Sequence, residues 1–344
     1  MRIRGVACLV TLLMVLAGCG SSSDEDPKTL VVATHDSWAM SKSVLAEFTE
    51  KTGITVKIQP QGDAGALTNR LVLTKDSPLA DGVYGIDNTF ASRAVSAGIL
   101  TPYDAKVPAS ATRFQLEGKG TSRLTPIDYS DVCVNVDDTY FEKSELAPPK
   151  TLDDLTKPAY KDLFVTPGAT TSSPGLAFLL ATIAAKGDDW PTYWKALVAN
   201  GTKVDAGWSD AYEVDFTAGG GDGTRPIVLS YSSSPPFTVP EGDTSPTTSA
   251  LLDTCYRQVE YAGVLTGSKN PAGMRKFIDF MLERDFQAAL PDNMYVYPVD
   301  ADVALPSAWA KFAPISPKPY AIDPVEVTEN RSAWLREWRD ITTR

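Results

Sequence analysis

The chain has 344 residues, 43% of them hydrophobic and 22% charged, with a formal net charge of −11. That composition is ordinary for a globular protein and gives enough chain for two domains. The acidity argues against a nucleic-acid partner and suits a soluble protein that attracts a cationic ligand. His35 is the single histidine and the cysteine spacings of zinc sites are absent. A multi-histidine metal site or a Ser–His–Asp triad would therefore rest on one residue. No repeat, low-complexity tract, nucleotide-binding loop or nucleophile–base pair stands out. No catalytic residue, metal or cofactor is expected.

The first stretch reads as a targeting segment. Arg2 and Arg4 precede the apolar run from Val6 to Leu16, which is too short to span a bilayer as a stable helix. Leu16-Ala17-Gly18-Cys19 resembles the bacterial lipobox, which implies lipidation of Cys19 and a lipid anchor on the outer face of the cell membrane. An ordinary secretory signal cut nearby is the alternative. Ser21 to Lys28 is too polar to fold and reads as a tether.

The folded part opens with a strand over Thr29 to Ala33, a helix from Ser41 to Thr52 stopped by Gly53, and a strand over Ile54 to Gln59. A helix over Ala66 to Leu73 and a strand from Asp81 to Ile86 follow. Strands alternating with helices predict a mainly parallel sheet flanked by helices, with His35, Asp63 and Asp87 on one rim at the strand ends. Val132 to Val136 reads as a crossover into a second lobe, which contains a strand over Leu163 to Val165. There Thr171-Ser172-Ser173-Pro174-Gly175 precedes the helix to Lys186. Serine before proline fits a helix cap, and a helix start can hold a phosphate or carboxylate. A plain cap is the equal alternative. The run Ile227 to Leu229 is a short buried strand that ends at Tyr231 and Phe237. Together with Trp208 these rings cluster at loop ends, as a flat, partly charged organic ligand requires. Tyr256 to Tyr261 reads as a return strand, Pro271 to Leu282 as a helix with Met274, Phe277, Ile278 and Met281 inward, and Met294 to Pro298 as an aromatic loop. Trp334 and Trp338 form a packing stripe on the last helix.

Several of these pieces, in this order, resemble the thiamine-binding components of bacterial ABC importers. They are Gly85-Ile-Asp87-Asn88, Thr171-Ser-Ser-Pro-Gly-Leu176, Gly207-Trp-Ser-Asp-Ala-Tyr212, Leu229-Ser-Tyr231-Ser-Ser-Ser-Pro235, Tyr297-Pro-Val299 and Arg331-Ser-Ala-Trp334-Leu-Arg-Glu-Trp338. The resemblance implies an α/β, two-lobed periplasmic-binding-protein-like fold of type II, with the ligand in the cleft between lobes. It implies capture of thiamine, and of its mono- or diphosphate, for delivery to an ABC permease by a monomeric binding protein. The expected division is residues 1–18 as signal, 19–28 as lipidated tether, 29–132 plus about 256–305 as the first lobe, and 133–255 plus about 306–344 as the second.

Carried over on the matching motifs, the ligand contacts fall on His35, Asp63, Asp87, Ser172, Trp208, Tyr231, Phe237 and Tyr295. His35 and Phe237 stand where relatives carry tyrosine, and Tyr295 replaces a tryptophan. Asp63 is the acidic group expected near the cation or amino edge, and Ser172 is placed at the phosphate end. With Cys8 in the signal and Cys19 lipidated, Cys133 and Cys255 remain, on strands read as neighbouring crossings between lobes. Outside the cytoplasm two such cysteines usually pair. Another small solute remains the competing ligand class: ferric ion, a polyamine or a small sugar. Tyr231 followed by serines counts against iron, whose sites in this superfamily use adjacent tyrosines. An exported enzyme is the remaining alternative.

Overall fold

The computed structural model describes residues 28–343. The signal, Cys19 and nearly all of the tether lie outside the described residues. In chain order the strands are β1 (Thr29–Thr34), β2 (Thr55–Pro60), β3 (Gly82–Asp87), β4 (Leu100–Thr101), β5 (Thr125–Asp137), β6 (Phe164–Pro167), β7 (Lys203–Asp205), β8 (Ile227–Tyr231), β9 (Thr248–Ala250), β10 (Tyr256–Leu265) and β11 (Tyr297–Pro298). The helices are α1 (Lys42–Thr52), α2 (Ala64–Leu73), α3 (Ala91–Ala97), α4 (Asp138–Ser144), α5 (Ser173–Lys186), α6 (Trp190–Ala199), α7 (Pro271–Met281), α8 (Arg284–Met294), α9 (Ser307–Phe312) and α10 (Pro324–Thr342).

The sheet runs β2-β1-β3-β10-β5-β8-β6-β7. Its two ends are parallel, β2-β1-β3 on one side and β8-β6-β7 on the other, and only β10 and β5 join them in antiparallel sense. This is the two-lobed α/β fold that the sequence pattern predicts. Short parallel strands need helical crossovers, and those helices cover the sheet faces. The apolar composition of α5 follows: Ser173 through Ile183 is buried without a break. On the second lobe α10 packs on α6 through Trp338 and Trp194, with ring centroids 5.5 Å apart.

Among the described residues β5 and β10 are the only long strands, and β5 runs from one lobe into the other. The first half of β5 pairs with β10 (Asp131↔Arg257, Tyr129↔Val259) and its second half with β8 (Cys133↔Ser230, Val136↔Ile227). β10 lies between β5 and β3, and its residues Glu260 to Ala262 pair with both. Pro126 would break a regular ladder because it has no N–H. It lies instead where the β10 register slips between Glu260 and Tyr261, so the missing donor falls at a bulge.

Two covalent and ionic clamps hold the crossing. Cys133 and Cys255 form the expected disulfide, their Cα atoms 4.2 Å apart. Arg257 grips Asp131 with two guanidinium nitrogens, and Ser316 from the C-terminal segment adds its N–H to the same carboxylate at 2.7 Å. Bidentate pairing of this kind offsets the cost of burying a carboxylate with no exposed surface. The disulfide closes a loop of 122 residues. In the chain-entropy model, replacing both cysteines by alanine should cost about 4–5 kcal/mol. Urea unfolding of the double variant should show a clearly lowered midpoint; an unshifted midpoint would contradict that ledger.

Candidate functional site

The parallel strands of both lobes point their carboxyl ends at one another across the hinge. His35 follows β1, Asp63 follows β2, Trp208 follows β7 and Tyr231 ends β8. Ligands of α/β sheets bind outside these strand ends. Between them lies a cavity of about 210 Å³ lined by His35, Asp63, Trp208, Tyr231, Phe237 and Tyr295, six of the eight residues singled out from the sequence.

Its walls are aromatic. Trp208 stacks on Tyr212 with centroids 4.9 Å apart and planes 14° from parallel, and its Nε1–H donates to Ser230 Oγ at 3.0 Å. A π-helical turn over Asp210–Asp215 holds this pair, closed by the Phe216 N–H on the Ala211 carbonyl. Such wide turns recur at functional sites. Phe237, 6.5 Å from the Tyr212 ring, meets Tyr295 edge-to-face at 5.0 Å. Phe237 is 52% exposed at the rim, an unusual position for a phenylalanine that packs only against protein. Tyr295 sits at φ 54°, a left-handed conformation that bulky residues rarely adopt, at the end of α8. The kink turns its ring toward Phe237.

The charged groups are carboxylates. Asp63, Glu213 and Glu260 line the cavity, and among its lining residues there is no lysine or arginine. His35 Nε2 lies 3.4 Å from Glu260 Oε1. Burial alone would lower the imidazole, but the charges of Glu260, Asp63 and Asp36 outweigh it and hold His35 above its ordinary value. Gly85 makes room for this ring: at φ +96° it has no Cβ, and one built there would lie 2.2 Å from His35 Cδ2. Glu260 in turn is held below the usual range. Burial opposes that, but His35, the Tyr84 hydroxyl and Asp128 outweigh it.

Asp63 is differently placed from the free acidic contact expected of it. Its Oδ1 accepts the N–H of Ala64 at 2.6 Å and of Ser173 at 3.4 Å, and its Oδ2 accepts the N–H of Trp208 at 2.9 Å. The carboxylate of one lobe is thus latched to two backbone amides of the other. Burial pushes its pKa up, and these amides together with the Ser172 hydroxyl pull it back.

Ser172 and Asp87 stand outside the lining. Ser172 is fully buried and caps α5 one residue earlier than Ser-Pro spacing suggested, accepting the Gly175 N–H at 3.4 Å. The first turn of α5 has no backbone N–H left for an anion: Ser173 serves Asp63, Pro174 has none, and Gly175 and Leu176 serve Ser172. A phosphate position at that helix start is not what the arrangement offers. Asp87 points inward, accepting from the Thr89 hydroxyl at 2.9 Å and the Phe90 N–H at 3.1 Å, and burial raises it to about 7. It organises the start of α3.

Sequence reasoning missed Glu260, Tyr212, Ser173 and Met294 as lining residues. Glu260 was the discoverable one, because a carboxylate inside a strand read as buried requires a partner.

A two-lobed α/β fold with an acidic, aromatic cleft at its hinge is the build of a solute-binding protein. Residues 38–288 match the bacterial extracellular solute-binding protein family, and the chain belongs to it. It is 31% identical over 342 residues to a thiamine-binding periplasmic protein of Salmonella typhimurium, covering 96% of this chain and 98% of that one. It is equally 31% identical to the thiamine-binding periplasmic protein of Escherichia coli, covering 92% and 94%. A solved periplasmic thiamin-binding protein superposes with TM-score 0.80 at 30% identity, over 92% of this chain and 96% of that one. A ferric-binding protein from Campylobacter jejuni, at 21% identity and TM-score 0.70, shares the fold.

Closure depends on close backbone approach at Gly65. A Cβ there would lie 2.7 Å from the carbonyl of Thr171 on the other lobe, beside the Ala66 N–H that donates to that carbonyl at 2.9 Å, and equally 2.7 Å from the buried Phe90 ring of its own lobe. Gly65→Ala should lower the melting temperature through the Phe90 contact and, beyond that, weaken ligand binding of the folded protein at least tenfold, about 1.4 kcal/mol. Titration calorimetry beside a thermal melt separates the two; unchanged affinity would contradict this contact's role in closure.

Proposed function

We propose that the protein captures thiamine outside the cytoplasm and delivers it to an ABC permease. The single observation that carries the reading is a cavity with two aromatic walls, three carboxylates and no lysine or arginine. Thiamine is a fixed-charge thiazolium joined to an aminopyrimidine, so it needs flat faces, a counter-charge and polar groups. Trp208, Tyr212 and Phe237 supply faces, and Ser37, Ser234 and Asn293 supply hydrogen-bonding groups. The names of the relatives support the same ligand. Ferric ion would need phenolates free to ionise beside one another; burial instead pushes Tyr231 well above its ordinary value.

The unphosphorylated form fits best. A phosphate would enter an acidic cavity whose nearest helix start is already filled by Asp63. Calorimetry should therefore rank thiamine above its monophosphate and the diphosphate last, each at fixed ionic strength. Phosphates binding more tightly than thiamine would overturn this order, and ferric citrate binding with thiamine inert would overturn the ligand.

The anchoring half of the proposal rests on the lipobox at Cys19. Among the described residues no helix is long and apolar enough to cross a membrane. A single diacylated cysteine would then hold the protein at the surface. Cys19→Ala should move it from the membrane pellet to the soluble fraction of lysed cells; continued sedimentation would exclude the lipid anchor.

A further inference from the structure

Glu260 sits in the middle of the hinge strand β10, with a register slip against β5 between Glu260 and Tyr261 and another against β3 between Tyr261 and Ala262. A bulge bends a strand and re-aims the side chains beside it. Here it brings to the cavity wall a carboxylate that is only 6% exposed.

The groups around it come from five elements. His35 after β1 lies at 3.4 Å, the Tyr84 hydroxyl of β3 donates at 3.1 Å, and Gln258 of β10 donates at 3.4 Å. Asp128 of β5 accepts from the same Tyr84 hydroxyl at 2.6 Å. Asp87 of β3 and Tyr231 of β8 feel the Glu260 charge, and Asp63 at the start of α2 and Asp36 face His35. Asp128 and Glu260 share the Tyr84 hydroxyl and also lie against each other, and two carboxylates in hydrogen-bonding contact hold a proton between them. Burial and the Glu260 charge raise Asp128 well above the ordinary range, which makes Asp128 the protonated member. Glu260 keeps its charge, and among these groups only His35 can answer it with a positive one. At 3.4 Å the imidazole is tied to Glu260 mainly by charge, with a long and poorly aligned hydrogen bond beside it.

We infer that Glu260 receives the fixed positive charge of the ligand, and that the proton of His35 leaves to solvent when it does. The inference rests on the thiamine reading above. A buried carboxylate that has few amide donors is stabilised by a cation in either state of the site: protonated His35 when the cavity is empty, the thiazolium when it is full. Two cations beside one carboxylate repel, and only the histidine can discharge. The ligand therefore lowers an imidazole pKa that the empty site holds high. Between the two values binding releases up to one proton, and affinity rises with pH by as much as about tenfold per unit. Above the empty-site value affinity is flat.

Thiamine titrated into the purified protein between about pH 6.5 and 8.5, in buffers of different protonation enthalpy, reads the proton directly. Proton release that fades as pH rises, and is lost in His35→Gln, is the expected result. The same variant separates His35 from Asp128, the other proton carrier beside Glu260. Glu260→Gln should weaken thiamine by about thirtyfold or more, and weaken the uncharged aminopyrimidine half of thiamine far less. Equal losses for both ligands would show a packing role and overturn the inference. Binding heats independent of the buffer would overturn proton exchange while leaving thiamine as the ligand, whereas thiamine that fails to bind wild-type protein overturns both.

Discussion

The constraint on which this architecture turns is the burial of carboxylates at the crossing of two strands. Among the described residues β5 and β10 are the only sheet connections between the parallel halves, and they carry Asp128, Asp131 and Glu260 through the interior. Each must be neutralised or bonded where it lies. Arg257 and Ser316 answer Asp131, Tyr84 sits between Asp128 and Glu260, and His35 faces Glu260. Solving that problem fixes the hinge, and the one carboxylate answered by a titratable partner is also the one that reaches the cavity.

Closure uses the same chemistry. Asp63 caps its own helix and accepts two amides from the opposite lobe, so a single carboxylate binds the rims together. A ligand can favour this arrangement only through contacts that the open state lacks. Trp208, Tyr212 and Phe237 from one lobe and His35, Asp63 and Glu260 from the other line the same cavity, so a ligand held there touches both lobes.

Much of the fold was legible in the residues. Ser41 and Gly53 bracket α1 as cap and stop, and the short apolar runs of β1, β3 and β8 are buried strands. The strand-end rule pointed to Tyr231 and Phe237, and the clustering of rings at loop ends to Trp208; all three line the cavity. What escaped had physical causes. Pro126 hid the first half of β5, since proline argues against a central strand unless a bulge excuses it. Pro291 hid α8, whose proline interior reads as a breaker. Asp63 and Ser172 were seen as residues but not as partners. Both belong to one network, and no spacing along a chain predicts which helix start a distant carboxylate will fill.

The central claim concerns which groups the ligand meets, and a crystal structure of the protein grown with thiamine tests it most directly. The account predicts the rings held between Trp208 and Phe237, the thiazolium against Glu260, and Asp63 still bonded to the Trp208 amide. A thiazolium turned away from Glu260, with the aminopyrimidine or a phosphate tail in its place, would contradict it.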